Sequence, residues 1–400
     1  MSHLSEGTAG FRRANRALFA GGLVTFSILY AVQPLIPVFS REFSISPAMG
    51  SLSLSVTTAA LAVSMLILGS LSDSWGRKPI MVASLLLSSL LAIATAWSPN
   101  FSTLLLLRLL QGIALAGLPA VAMAYLGEEI APSSLGTAMG LYISGNSIGG
   151  LAGRVLGGTL TDVFSWRVAL ATLGGISLLL SLWFWRALPA SAHFRASRPH
   201  VKELLLSMGR HLKNPSLLRL FMVSFVLMGS FVTLFNYIGF HLLEPPYSLS
   251  PSVIGWLFLV YLTGSYSSAR MGKAADHRGR KNMLWTGLAI MLTGAALTLL
   301  PPLWCKVTGL ALFTFGFFGS HSVASGWVSS AARTAKAQAA SLYLFFYYAG
   351  SSVFGTLGGW FWSGFGWIGV IGLILALILL AFPLTRPLTE AHTSVDRKAS

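Results

Sequence analysis

The sequence predicts an all-α membrane protein with twelve transmembrane helices arranged as two pseudo-symmetric six-helix bundles. Its composition is the first reason, because 54% of the 400 residues are hydrophobic, 10% are charged and the mean hydropathy is +0.72. A soluble globular chain carries about 25% charged residues. The second reason is a series of apolar stretches of membrane-spanning length, and the third is a charged motif that recurs half a chain later.

The composition also indicates which partners to expect. The 41 glycines favour close helix packing in lipid. The net charge of +16 does not predict a nucleic-acid partner, because Lys and Arg lie at the ends of the apolar stretches and form no continuous basic face. We expect these cations to set the topology and to contact anionic headgroups of the lipid bilayer. The single cysteine, Cys305, excludes an internal disulfide framework and a CxxC site.

A helix that crosses about 30 Å of hydrocarbon needs roughly 20 mostly apolar residues. In the first half of the chain the predicted spans are Leu18–Phe39, Ser51–Leu71, Pro79–Trp97, Phe101–Tyr125, Leu135–Leu160 and Trp166–Trp185. In the second half they are Leu217–His241, Ser252–Met271, Met283–Leu300, Val307–Val328, Ala339–Trp362 and Trp367–Phe382. The first span lacks a small-residue cleavage site, so we expect it to remain as a helix.

The predicted domains follow from these spans. A first bundle covers residues 1–186, a polar linker 187–215, a second bundle 216–386 and a polar tail 387–400. If the N-terminus is cytoplasmic, 22 of the 27 Lys and Arg residues lie in cytoplasmic segments. The positive-inside rule therefore predicts that both termini are cytoplasmic.

A ten-residue pattern appears in both halves, displaced by 203 positions. Its shared residues are Gly69, Asp73, Gly76, Arg77 and Lys78 in the first copy and Gly272, Asp276, Gly279, Arg280 and Lys281 in the second. Farther along, the pair Gly157-Gly158 returns 201 positions later as Gly358-Gly359. A period near half the chain, with an even number of spans in each half, predicts duplicated halves of parallel orientation.

The pattern G-x-x-x-D-x-x-G-R-K-P between spans two and three resembles the signature loop of the major facilitator superfamily. The likeness covers the whole chain in span count, central linker and second motif copy. It implies a gating role for the loop, which in that family stabilises one end state of alternating access. From the residues themselves, we expect Gly69 to allow close helix approach, Gly76 to permit a tight turn and Asp73 to cap a helix or pair with a cation. A charged turn alone would explain Arg77 and Lys78.

Three further stretches resemble the family's bacterial twelve-span drug/proton antiporter branch. They are the Pro-x-x-Pro end of span one, Arg108-Leu-Leu-Gln111-Gly112 in span four, and the glycine cluster at residues 145–150 in span five. The cluster has Asn146 where that branch has proline, which weakens the assignment to drug antiport. We interpret its glycines as a small-residue stripe for helix packing. The cluster also matches the hydrolase G-x-S-x-G pattern by chance, because a nucleophile elbow requires a strand-turn-helix context.

The candidate cavity or coupling residues are polar side chains inside the predicted spans. They are Tyr30, Gln33, Arg108, Gln111, Asn146, Arg154, Asn236, Tyr237, His321 and Tyr343. Intramembrane charges are costly and usually face the bundle interior. The alternatives are a snorkelling side chain for Arg108, a structural ion pair for Arg154 and a neutral, cross-helix hydrogen bond for His321.

None of the eleven acidic residues lies in the middle of a predicted span. Proton coupling would then use His321, Asp73, Asp162 or a change linked to the substrate, or would be absent. No HExxH, P-loop or paired intramembrane carboxylates appear, so an enzyme or an ATP-driven pump is not expected.

We therefore expect a secondary active transporter in the bacterial inner membrane that exports a drug, sugar or metabolite by proton-coupled alternating access. We expect a monomer that uses the proton gradient, with no cofactor and no metal site. The alternatives are an uncoupled facilitator or importer and, in a different class, a membrane sensor that binds solute without moving it.

Overall fold

The computed structural model describes residues 3–194, 196, 201–332 and 334–388, and this part of the chain contains fifteen α-helices. The first eight are α1 Ala9–Tyr30, α2 Ile36–Glu42, α3 Pro47–Trp75, α4 Arg77–Ala96, α5 Phe101–Leu115, α6 Gly117–Glu129, α7 Leu135–Val163 and α8 Trp166–Ala187. The others are α9 Val201–Leu212, α10 Pro215–Leu243, α11 Pro251–Leu257, α12 Tyr261–Arg278, α13 Arg280–Leu297, α14 Leu303–Ala331 and α15 Lys336–Thr385.

The all-α membrane fold is confirmed, because each predicted span coincides with helix. Spans one, four and eight are each divided between two helices, namely α1 and α2, α5 and α6, and α11 and α12. The last two spans lie in α15, which turns at Gly366, where φ is 59°. In the described part of the chain, eight helical stretches are long and apolar enough to cross a membrane.

The break in the first span follows from its prolines. Helix α1 ends at Tyr30, a 3-10 turn covers Gln33–Leu35, and α2 begins at Ile36. Pro34 has no backbone N–H to continue the α-helical ladder, and its ring disfavours helix in the residues before it. The predicted disruption of the outer half of this span is therefore confirmed.

Helix starts are marked by side chains that accept hydrogen bonds from the first turn. The Ser46 hydroxyl accepts from the N–H of Met49 at 3.2 Å at the start of α3, where Pro47 fills the first helical position. The Asn100 side chain accepts from the N–H of Thr103 at 2.9 Å at the start of α5. These caps satisfy N–H groups that have no partner within a helix.

Helices α1 and α7 pack in parallel along a glycine stripe. A Cβ added at any of four glycines of α7, spaced four residues apart, would lie less than 3.0 Å from a backbone oxygen of α1 or of Ala31, the residue that follows α1. The glycines are Gly145, Gly149, Gly153 and Gly157, which face Phe19, Leu23, Ser27 and Ala31 in the same order. The interpretation of the glycine cluster as a packing stripe is confirmed.

The chain packs as two compact units. The first comprises Met1–Lys202, Val232–Leu259 and Tyr348–Val370, and the second comprises Glu203–Phe231, Val260–Tyr347 and Ile371–Ser400. The predicted bundles rest on the sequence repeat and stay a prediction. Residues 195 and 197–200 of the predicted linker, and 389–400 of the predicted tail, lie outside the described residues.

Candidate functional site

Four of the candidate residues meet in one buried cluster within the first unit. Arg154 on α7 donates from Nε to Gln33 Oε1 at 2.7 Å. Gln33 in turn donates from Nε2 to Asn236 Oδ1 on α10 at 2.9 Å. Both contacts are buried, and they join residues 121 and 203 positions apart. The break after Tyr30 positions Gln33 here, because the 3-10 turn redirects the chain between α1 and α2.

The Arg154 guanidinium lies between aromatic rings. Its Cζ is 3.9 Å from the ring centroid of Tyr30 and 5.0 Å from that of Phe258. Its Nη1 donates to the carbonyl oxygen of Gly150 at 2.6 Å. Cation–π contacts and carbonyl acceptors lower the cost of burying the cation, but these named partners are all neutral.

Asn236 has one polar atom without a partner. Its Nδ2 is buried and has no hydrogen-bond acceptor among the described residues, and the same holds for the Oγ of Ser55 on α3. A Cβ added at Gly355 on α15 would lie 3.2 Å from each of these atoms. Gly355 therefore leaves two buried polar atoms facing its backbone.

Tyr237 lies next to this region. Its hydroxyl donates to the carbonyl oxygen of Gly355 at 2.7 Å, and its ring is buried against Gly358. Tyr237 is thus engaged in packing α10 against α15. Its role as a candidate cavity residue stays a prediction.

The same unit holds further contacts between the two sequence halves. The Thr58 and Ser352 hydroxyls are 2.8 Å apart, and Ser352 also donates to the carbonyl oxygen of Ser55 at 2.8 Å. Near the end of α7, hydrogen bonds from Ser252 and Ser250 hold the pKa of Asp162 below its usual value. Helices α3 and α7 of the first half thereby contact segments of the second half.

Asn146 lies elsewhere on α7. It packs against Gly22 of α1, where an added Cβ would meet both its side chain and its backbone nitrogen. Asn146 Oδ1 has no hydrogen-bond partner among the described residues. The structure therefore places Asn146 in the α1–α7 contact.

Arg108 and Gln111 form a different cluster at the break in the first span. Arg108 is 1% exposed and donates to the carbonyl oxygens of Ser53 at 2.8 Å, Leu29 at 3.0 Å and Ile28 at 3.3 Å. It also donates to Gln111 Oε1, and Gln111 Nε2 donates to the carbonyl oxygen of Ser88. The alternative interpretation of Arg108 as a snorkelling side chain is wrong, because its guanidinium points inward and binds carbonyl oxygens of α1 and α3.

The first copy of the signature loop carries an ion-pair network. Gly76 has a φ of 95° between α3 and α4, as the predicted tight turn requires. Arg77 pairs with Asp73 at 2.5 Å and with Glu128 at 2.6 Å. Lys78 Nζ donates to the carbonyl oxygen of Leu188 at 2.5 Å, just past the end of α8.

The second copy of the signature loop has the same backbone turn as the first, but its arginine binds a neutral hydroxyl and not a carboxylate. Gly279 has a φ of 85°, and Lys281 Nζ donates to the carbonyl oxygen of Arg386 at 2.6 Å, just past the end of α15. Arg280 donates to the hydroxyl of Ser330, whereas Arg77 in the first copy pairs with a carboxylate. Asp276 is exposed.

One expectation for the loop is wrong. A Cβ at Gly69 would meet its nearest neighbour, the carbonyl oxygen of Ala120, at 3.9 Å, which is an ordinary contact. The helices do not approach closely enough there to require glycine. At Gly272 the added Cβ would lie 3.0 Å from Ser322 Oγ, so the second copy is the tighter of the two.

Sequence reasoning missed Glu128, the second carboxylate on Arg77. Its signal is the adjacent pair Glu128-Glu129 at the end of the fourth span, on the side where the signature loop lies. It also missed Ser55, which resembles many other small polar residues. Gly355 could have been found, because it lies 201 positions after Arg154.

His321 and Tyr343 form a third cluster, in the second unit. The Tyr343 hydroxyl lies 3.0 Å from His321 Nδ1, and the Tyr347 ring centroid is 4.8 Å from the His321 ring. These residues join α14 to α15. The hydrogen bond agrees with the cross-helix alternative for His321 and places a titratable ring beside a hydroxyl that can donate or accept.

A cavity of about 320 Å³ adjoins this pair. Its lining is mostly small and polar, and it includes His321, Tyr343, Ser322, Ser325 and Ser329. Water and small polar solutes can therefore contact His321 from this side. Among the described residues, no group of His, Cys, Asp and Glu could hold a metal ion.

Comparison with known proteins places the chain in a large family. A sequence profile described as the Major Facilitator Superfamily matches residues 18–355. The chain is 52% identical over 398 residues to the uncharacterized MFS-type transporter YybF of Bacillus subtilis, covering 100% of this chain and 98% of that protein. It is 48% identical over 377 residues to the inner membrane transport protein YnfM of Escherichia coli, covering 94% and 90%.

Solved structures share the fold. A bacterial homologue of the human lysosomal transporter Spinster, in an inward-facing and unoccupied conformation, matches with a TM-score of 0.78 at 15% identity, over 94% of this chain and 97% of that one. A mutant of the nucleoside transporter NupG matches with a TM-score of 0.77 at 15% identity, over 93% and 99%. At this identity the likeness is one of fold.

Proposed function

The chain belongs to the Major Facilitator Superfamily, and from that premise we propose that it exports a small organic solute in exchange for protons, by alternating access. Membership makes it a multi-pass membrane transporter and not an enzyme. The solute is a drug, a sugar or another metabolite. The proton gradient supplies the energy, and no cofactor is needed.

The hydrogen-bonded pair His321 and Tyr343 is the observation that carries the coupling proposal. Histidine carries an imidazole that can hold a proton in one state of a transport cycle and release it in another. The adjoining cavity of about 320 Å³ gives protons a route to His321. A proton carrier of this kind would replace the intramembrane carboxylate that the sequence lacks.

The export direction is supported by the antiporter-branch resemblances in spans one, four and five. The excess of Lys and Arg on one side supports cytoplasmic termini. Residence in a bacterial inner membrane is supported by the similar Escherichia coli protein, which is named an inner membrane transport protein. We further propose that the protein acts as a monomer with no nucleic-acid partner.

The test is solute movement in proteoliposomes under an imposed pH gradient, screened with cationic dyes, small sugars and organic anions. We expect movement that depends on the gradient and collapses with a protonophore. The His321→Ala variant removes the titratable ring, so the gradient should no longer drive the solute. The matched His277→Ala variant changes an exposed histidine and should retain coupling.

Two results would contradict the proposal. Wild-type movement that ignores the gradient would identify a facilitator, and coupling that persists in His321→Ala would place the proton elsewhere. Binding of a solute without any movement would favour a sensor. The Asp73→Asn variant should slow movement without uncoupling it, since Asp73 belongs to the signature loop.

A further inference from the structure

A second cavity, of about 200 Å³, lies within the second unit, between α9 and the turn that precedes α15. Its lining includes Arg210 and His211 of α9, Asn214 in the turn after α9, and Thr334 and Ala335 before α15. A water molecule takes about 30 Å³ of liquid volume, so the cavity has room for the four oxygens of a phosphate group. This cavity and the one beside His321 have none of their described lining residues in common.

The two walls of this cavity are held together by a buried histidine. His211 is 7% exposed, and its Nε2 lies 3.2 Å from the carbonyl oxygen of Ala335. A carbonyl oxygen can only accept, so Nε2 carries a hydrogen and donates it. This bond ties α9 to the turn before α15, and the cavity is therefore formed without a ligand.

The polar side chains at the cavity offer hydrogen-bond donors. Asn214 Oδ1 accepts from the N–H of Ser216 at 3.0 Å and from that of Leu217 at 3.3 Å, at the start of α10. These two backbone donors fix the orientation of the amide and leave Nδ2 as the group that can bind a ligand. Arg210 is exposed, and a guanidinium has five N–H donors and no acceptor.

The charge around the cavity favours an anion. The stretches of sequence that form its walls, residues 204–243 and 277–389, contain no Asp or Glu. The exposed Lys213 and Lys336 are the sequence neighbours of Asn214 and Ala335, which line the cavity. Within the described part of the chain, Arg210 forms no ion pair. An anion would make charge-assisted hydrogen bonds here, whereas a cation would be repelled.

The arrangement of the donors selects among anions. They come from three chain segments, namely α9, the turn after it and the turn before α15. A tetrahedral phosphate presents oxygens in several directions, whereas the two oxygens of a carboxylate lie in one plane. We propose that this cavity binds a phosphate group, whose oxygens accept hydrogen bonds from Arg210, Asn214 Nδ2 and the Thr334 hydroxyl. The inference goes beyond the proposed transport function and depends neither on proton coupling nor on the transported solute.

The phosphate group can belong to an anionic phospholipid or to a soluble compound. Leu206 and Leu212 of α9 are 57% and 39% exposed, and the exposed cations Arg210 and Lys213 lie beside them. Exposed leucines and cations together are typical of a short helix that lies at the headgroups of a bilayer. The predicted topology places α9 at the cytoplasmic leaflet, which is rich in anionic lipids. We therefore expect the lipid to be the ligand.

The test is ligand-induced thermal stabilisation of delipidated protein in detergent, because a ligand that binds only the folded state raises the melting temperature. The soluble probes are glycerol 3-phosphate, glycerate and glycerol, and the lipid probes are phosphatidylglycerol and diacylglycerol with the same acyl chains. We expect the two phosphate compounds to stabilise the protein more than their phosphate-free partners do. A larger effect of phosphatidylglycerol identifies a lipid as the source of the phosphate, and a larger effect of glycerol 3-phosphate identifies a soluble compound.

Two variants locate the binding site. Arg210→Gln removes the guanidinium and should weaken phosphate binding by at least about tenfold. Asn214→Asp keeps the oxygen that caps α10 and places a negative charge at the cavity, so it should weaken binding at least as much. Lys213→Gln removes a neighbouring charge outside the cavity lining, and Asn100→Asp makes the same cap change at α5. Both of these controls should bind as the wild type does.

The inference is overturned if neither phosphate compound stabilises the wild-type protein, or if the phosphate-free partners stabilise it equally. Normal phosphate binding by both Arg210→Gln and Asn214→Asp would also overturn it. So would an equal loss in Lys213→Gln, because that result would show attraction to the surface charge in general. The measurement needs neither a gradient nor transport, so failure of the proposed transport function would leave this inference standing.

Discussion

Arg108 and Arg154 are both buried cations inside predicted spans, but the chain uses them differently. Arg108 donates to main-chain carbonyls of Ile28 and Leu29, close to the end of α1. Carbonyls in the last turn of a helix have no intrahelical donor and carry the negative end of the helix dipole. Arg108 therefore caps the first half of a span that Pro34 interrupts, and its role as a cavity or coupling residue stays a prediction.

Replacing Arg108 with methionine should destabilise the protein. The change leaves three buried carbonyl oxygens without the Arg108 donors, at about 1–3 kcal/mol for each. We expect a clearly lower melting temperature for purified Arg108→Met in detergent, followed by intrinsic fluorescence. The exposed Arg41→Met is the control and should melt as the wild type does. An unchanged melting temperature for Arg108→Met would show that the cap is dispensable.

Among the helices, α7 has a sequence pattern that fixes how closely it packs against a neighbouring helix. Its stripe of four glycines sets the distance to α1 and so positions Arg154 above the ring of Tyr30. The signature loops show a second relation between elements, because Lys78 and Lys281 each bind a carbonyl just past the last helix of their half. The two copies of the signature loop therefore make the same kind of contact, each with the end of the last helix in its own half.

Two alanine substitutions on α7 should differ in their effect on the stability of the protein. At Gly149 an added methyl group would lie less than 3.0 Å from the backbone of Leu23, so Gly149→Ala should cost about 1–3 kcal/mol. At Gly140 nothing lies within 4 Å, so Gly140→Ala should be neutral or slightly stabilising. The measurement is the melting temperature of each purified variant, which should be lower for Gly149→Ala than for Gly140→Ala. Equal melting temperatures would mean that α1 and α7 can separate at no cost.

For the whole molecule, the sequence was sufficient for the spans, the repeat and the family. The thickness of the bilayer sets the length and the hydropathy of every span, so each span can be recognised from its own stretch of sequence. The partner of Arg77 on α6 and the acceptors of Arg108 could not be predicted, because they depend on how helices far apart in sequence are rotated. Span interruptions at α5–α6 and α11–α12 were also missed, although Pro119 lies three residues after the first break and cannot donate to the carbonyl of Leu115. The second break, at Phe258–Val260, has no proline to mark it.

Alternating access requires the two sequence halves to separate during transport, and we expect them to separate at the contacts between halves that the first unit contains. The Thr58 and Ser352 hydroxyls are 2.8 Å apart, so cysteines at both positions can form a disulfide after Cys305→Ala removes the only native thiol. Ser89 and Ser181 lie 3.1 Å apart on α4 and α8, both in the first half, and supply a matched control pair.

The decisive measurement is solute counterflow in proteoliposomes containing either double-cysteine protein, before and after oxidation. We expect a disulfide joining positions 58 and 352 to abolish counterflow, and we expect reduction to restore it. A disulfide joining positions 89 and 181 should leave counterflow intact, because those helices move together. Undiminished counterflow through protein cross-linked between positions 58 and 352 would show that the two halves do not separate at these contacts during transport.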